Sequence, residues 1–228
     1  MEENKSLSES MLVTIEYSNL EFLGDLGEIM IDATLNEGVL REVPIFGTLV
    51  GICKCIKNAY DVYFAKKLVA FLIPIKDVSP EKRAKAIRKW EEDKNYRGNV
   101  GDTLIGMIQR CDDAVKAAWL SQLFYELVLK RGWSRLFMRA EKTLSSLSVM
   151  DVQAFLNMTK DHYSRISEEE SEPYIGSGLY QSPKLTGTVI NGGLQMDDKY
   201  CDATEVGHLI YKVLNKISIQ KVEQYKLY

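Results

Sequence analysis

PIFGTLVGICKCI, residues 44–56, carries two glycines four apart, two cysteines two apart and a single charge, at Lys54. How this stretch is read decides between a membrane span, a phosphate loop, a metal site and the inside of a helical core. The uncharged run from Val43 stops at Cys53, and Lys54 and Lys57 follow. That is well short of the about 20 apolar residues a spanning helix needs. A phosphate loop requires a Lys-Ser/Thr pair after its glycines, and here Gly51 is followed by Ile52 and Cys53. Cys53 and Cys55 point to nearly opposite sides of a helix, and no second Cys or His pair stands at a ligand-like spacing. What remains is a tightly packed helix. Pro44 is its first residue, and Gly47 and Gly51 share one face that a neighbouring helix can approach closely. A membrane-acting role for residues 44–75 is kept as the alternative.

Working outward, 228 residues are enough for a substantial core, and the 46% apolar and 27% charged fractions are ordinary for a globular protein. The opening MEENKSLSES has no basic segment leading into an apolar one, so no secretory signal is read there. Four cysteines (Cys53, Cys55, Cys111, Cys201) do not make a disulfide framework in a chain of this length, which implies a reducing, cytoplasmic setting. The net charge of −3 is unevenly spread. Residues 1–42 hold ten acids against two bases, residues 43–160 twenty bases against twelve acids, and residues 161–228 seven bases against ten acids. Pairing between the acidic start and the basic middle is the preferred reading, with an exposed basic face for an anionic partner as the other.

The apolar positions predict an all-helical first part. Leu12, Ile15, Phe22, Leu26, Ile29 and Ala33 follow a three-and-four spacing, with Asn19 in the gap, so one amphipathic helix is expected there. The second runs from Pro44 to about Leu72 and is ended by Pro74. Ser79-Pro80-Glu81 starts a third, carrying the basic cluster Lys82, Arg83, Lys85, Arg88 and Lys89. With Glu91, Glu92 and Asp93 following, a solvated, partly self-paired face is the preferred reading, and a patch for an anionic partner the other. Further helices are expected over about 99–110, from Asp112 or Asp113 to Gly132, over 134–146, and from a Ser148/Asp151 capping box to about Arg165. Trp90, Trp119 and Trp133 read as core anchors.

The last third changes character. A short strand at Gly178-Leu179-Tyr180, a hairpin about Asn191-Gly192 and a closing helix over about 204–217 are similar in order to a winged-helix module. Its charge argues against DNA, since residues 160–205 hold nine acids and four bases. The fold class is therefore mainly α: a helical domain at 1–166, then a small α+β module at 167–228 packed on it.

Pro44 and Gly47, then DVYFAKKLVAFL (61–72), DVSPEKRAKAIRKWEEDKNYRGNVGDTL (77–104) and RCDDAVKAAWLSQLF (110–124), together resemble a broad group of uncharacterised bacterial helical proteins. Such proteins are met among the genes of mobile elements and phage defence. The likeness covers about residues 38–155 and consists of packing and capping positions. It implies a bacterial cytoplasmic setting and an accessory role in defence, and it carries over no catalytic residue.

No catalytic, cofactor or metal-ligating residue is assigned. His162 and His208 lack a nucleophile turn of the GxSxG kind, and Asp112-Asp113 are explained by helix capping. Cys111 beside Arg110 reads as a small half-buried helix residue rather than as an activated thiol. The expected function is a non-enzymatic protein-interaction or regulatory role. A protein partner or self-association is expected; a membrane takes second place, and nucleic acid binding through the C-terminal module third.

Overall fold

The structure, a computed structural model, describes residues 6–21, 23, 43–53, 59–182, 187–190, 193–196 and 200–215. The chain is mainly α-helical with small antiparallel strand pairs, as composition and pattern predict. It divides into two compact units at Phe137/Met138, the second being Met138–Lys216. The division falls inside a helix rather than after residue 166, because the helix at 149–157 packs with the C-terminal elements.

In the first unit, α1 is Leu7–Tyr17, α2 Pro44–Cys53, α3 Ala59–Leu72, α4 Pro80–Glu91, α5 Val100–Arg110 and α6 Ala114–Leu123. A capping box starts α1: the Ser6 hydroxyl accepts from the Glu9 amide and the Glu9 carboxylate accepts from the Ser6 amide. The amphipathic period beyond it does not continue as one helix. At Ser18 the backbone turns extended (φ −77, ψ 141), and Asn19 bonds the Glu21 amide. Ser and Asn side chains offer the backbone this local alternative to helix. The expected stretch over 24–33 lies outside the described residues.

Helix α2 packs on α1. Ile45 and Phe46 are fully buried, and the Thr14 hydroxyl accepts the otherwise orphaned Ile45 amide at 3.0 Å. The Ser10 and Thr48 hydroxyls pair at 2.6 Å, so this seam buries no unmatched hydroxyl. Of the helix-packing residues read from the sequence, Pro44 opens α2 as expected and Gly47 is half-buried. The surroundings of Gly51, and the course of the chain over 54–58, lie outside what is described. Among the described residues, close backbone approaches stand at other glycines. A Cβ at Gly101 would stand 2.4 Å from the Ser8 carbonyl oxygen, where α5 crosses α1.

Helix α3 ends at Leu72, ahead of a 3₁₀ turn over Ile73–Ile75, and packs on α6. Phe71, Phe124, Phe137 and Trp90 form a chain of ring contacts at 5.5–5.8 Å through the core of this unit. After α6 the helix widens to a π turn over Phe124–Leu129 and stops at Gly132, whose φ of +68 is a left-handed conformation. There the amides of Gly132 and Trp133 return to the carbonyls of Val128 and Leu127.

In the second unit, which takes up α7 (Ser134–Ser146) from Met138, α8 is Val149–Asn157, β1 Arg165–Ser167 and α9 Glu168–Ser171. Then follow β2 Gly187–Ile190, β3 Gly193–Met196, β4 Tyr200–Asp202 and α10 Glu205–Leu214. The Ser148/Asp151 capping box starts α8 as predicted, but the helix stops at Asn157, and Arg165 belongs to β1. The hairpin is present, with Ile190 paired to Gly193 across Asn191-Gly192. The strand expected at 178–180 is reduced to a single bridge, Tyr180 to Ala203, while β1 pairs with β4. The fully buried Phe155 has the rings of Tyr163, Tyr174, Tyr180 and Tyr211 around it at 5.7–6.2 Å. Each hydroxyl that enters this cluster from Tyr180 or Tyr211 donates to a backbone carbonyl, Tyr163 and Met158 respectively.

Candidate functional site

The basic cluster lies on α4. Pro80 opens this helix, while the Ser79 hydroxyl turns to Glu81 instead of capping the backbone. The backbone amide of Glu81 and the Ser79 hydroxyl hold the Glu81 carboxyl below the usual carboxylate range. Successive residues turn by about 100°, which divides the five predicted cations. Lys82, Lys85 and Lys89, spaced i, i+3 and i+7, stand on one exposed line. Arg88 is exposed but turned aside, into the electrostatic reach of Glu16 on α1.

Arg83 does not belong to the patch. It is 1% exposed and faces α1, where its Nη2 donates to the Ser18 carbonyl at 2.7 Å. Among the described residues its Nε and Nη1 have no hydrogen-bond partner, and burial lowers its pKa. The sequence places Arg83 among four exposed cations, yet its helical phase is that of Ala84, Ile87 and Trp90, all buried. That phase is the signal that separates it from its neighbours.

The structure adds residues to this face that the sequence reading missed. Gly132 brings the turn after α6 against α4, so that a Cβ there would meet Lys89 Nζ at 2.6 Å. On this turn Trp133 is not a core anchor but 46% exposed, with the Arg131 guanidinium over its ring at 4.9 Å. The Gly132 conformation re-aims the next residue outward, which periodicity alone does not reveal. Arg135 follows, 3.9 Å from Asp93, whose carboxyl is held low chiefly by the Asn95 amides. Lys130 is committed to Glu126 and lies over the Tyr125 ring. The exposed cations with an exposed indole among them are thus Lys82, Lys85, Lys89, Arg131 and Arg135.

Gly132→Ala is expected to lower stability by about 1–2 kcal/mol, the penalty for a non-glycine residue in the left-handed region. Urea denaturation followed by circular dichroism measures it. A loss of a few tenths or less would mean that the turn relaxes freely.

The other sequence candidates resolve into structural roles. Asp113 caps α6 through the Lys116 amide, and Asp112 pairs with the buried Lys116 ammonium at 2.6 Å. Lys67, which the sequence reading missed, sits at the end of α5. It is 5% exposed and donates to the Gln109 and Cys111 carbonyls, closing the negative end of that helix. Burial pushes the Lys67 pKa down. Tyr63 donates to the Asp112 carbonyl beside it. Cys111 is buried, its thiol directed to the Met107 carbonyl.

In the second unit, His162 pairs with Glu170, whose carboxyl the Ser167 amide and hydroxyl hold low, and His208 bonds the Tyr163 hydroxyl. The side chains of Cys53 and Cys55 lie outside what is described. Among the described residues no group of three His, Cys, Asp or Glu side chains is placed to hold a metal ion, and no helix is long and apolar enough to cross a membrane. Comparison of the chain with protein-family models, curated proteins and solved structures finds no match.

Proposed function

We propose that this protein is a non-enzymatic binding protein, and that its first unit engages a negatively charged partner through the exposed line of α4 and the turn at 131–135. The observation that carries this reading is the seating of Lys89 against Gly132, which joins two separate basic segments into one face. Like charges held together on a surface raise the local potential and draw an oppositely charged partner in. Lys116 and Lys130 pair with Asp112 and Glu126, and Arg88 lies in the electrostatic reach of Glu16, whereas among the described residues Arg135 is the one exposed cation of the face within ion-pair distance of an acid. An accessory role in bacterial phage defence fits the resemblance of residues 38–155 and would supply the setting. For a membrane-acting role of residues 44–75, no helix among the described residues is long and apolar enough to cross a membrane.

The test is retention on a heparin column. The wild-type protein is expected to be retained and released by salt, and the Lys82→Glu/Lys85→Glu/Lys89→Glu variant to flow through with unchanged helicity and melting midpoint. Equal retention of the two proteins overturns the reading.

A further inference from the structure

We infer that the ligand of this face is single-stranded nucleic acid, with phosphates on the α4 lysines and a base on Trp133. This rests on the anionic-partner reading above and gives it a chemical class. The three lysines span eight residues of α4, about 10 Å of helix axis, so they form a row of point charges along which a phosphate backbone can track. Charge alone would serve an acidic peptide equally well. What distinguishes the two is the indole: cations need no aromatic neighbour to bind carboxylates, whereas an exposed ring beside a cationic row is the arrangement that stacks unpaired bases. The Arg131 guanidinium over Trp133 covers part of the ring and adds its own flat, cationic surface. A duplex hides its base faces, so it has nothing to offer the indole.

The geometry also provides its own reporter. Trp90 and Trp119 are 1% and 2% exposed, so a change of tryptophan emission on adding an oligonucleotide comes from Trp133. The full chain is titrated into fluorescein-labelled oligo-dT and oligo-rU, and separately into a blunt duplex, a poly-glutamate peptide and polyphosphate, with tryptophan emission recorded in each case.

The expected result has four parts. Single strands bind and quench the emission; Trp133→Ala weakens binding by about 5- to 150-fold; and Trp133→Phe retains most of it. Changing Lys82, Lys85 and Lys89 together to Gln makes the slope of log affinity against log salt less negative by about 2. Two results overturn the inference while leaving the anionic-partner reading standing. One is that polyphosphate or poly-glutamate binds as tightly as the oligonucleotides, with emission unchanged and Trp133→Ala without effect. The other is equal binding of duplex and single strand. No binding of any polyanion, with the lysine variant indistinguishable from wild type, overturns both.

Discussion

Gly101→Ala is expected to destabilise the first unit by about 3 kcal/mol, among the larger effects of any single added methyl group. The reason is that the new Cβ meets backbone rather than a movable side chain: it would lie 2.4 Å from the Ser8 carbonyl oxygen and 2.9 Å from its carbon. To make room, α1 has to lift away from α5, and with it the buried Met11 and Ile15. Gly106, one turn further along the same helix, is the matched control. Its nearest neighbour would be Arg110 Nη1 at 3.4 Å, at the far end of a flexible side chain. There the ordinary preference of helices for alanine dominates, and Gly106→Ala is expected to stabilise by about 0.5–1 kcal/mol. Urea unfolding of the two variants reads opposite signs. A neutral or stabilising Gly101→Ala would show that the α1–α5 approach does not depend on Gly101.

The second unit has its own sensitive point. Phe155→Ala is expected to lower stability by about 3–5 kcal/mol, the range for emptying a fully buried aromatic site. The surrounding tyrosines have little freedom to collapse into the space. Tyr180 is tied to the Tyr163 carbonyl, Tyr211 to the Met158 carbonyl, and Tyr163 and Tyr211 are stacked at 3.6 Å with planes 7° apart. Near-ultraviolet circular dichroism reports the tyrosine packing directly, and its signal should fall in this variant below the melting transition. Met150→Ala, at a residue 78% exposed on the same helix, is expected to stay within about 0.5 kcal/mol of wild type. Comparable losses at the two positions would mean that Phe155 is not the centre of this core.

Much of the helical order was legible because the chain marks its helix starts with short polar side chains. Ser148 with Asp151, Asn99, Asp113 and Thr204 all accept the backbone amide that their position in the sequence assigns to them. Helix ends were less legible. The apolar period runs straight through Ser18, yet the helix stops there, because a local Asn19 bond and a distant arginine together satisfy the backbone more fully than another turn would. The same arginine shows why a basic cluster cannot be read as a surface by composition: Arg83 and Lys82 are neighbours in sequence and about 100° apart in space. Tertiary partners also decided the glycines. Gly47 and Gly51 looked like the packing pair from spacing, whereas close backbone approaches stand at Gly101, whose partner lies more than ninety positions away, and at Gly207, against the Leu179 carbonyl. For the candidate site, the α4 lysines were visible in the sequence, whereas Arg131, Trp133 and Arg135 joined them through one backbone angle.

The π turn over Phe124–Leu129 has a consequence for how this helix tolerates changes of length. A π turn takes in one residue more than an α turn, so the segment already holds the equivalent of a single-residue insertion. Removing one residue there would let the coil tighten to ordinary α geometry with everything downstream kept in nearly the same phase, whereas removing a second would swing it by about 100° about the axis. The indole and its guanidinium companion would then leave the lysine row, although every residue of the face was still present. Among descendants of this chain, that stretch could thus shed one residue and keep the face, but not two.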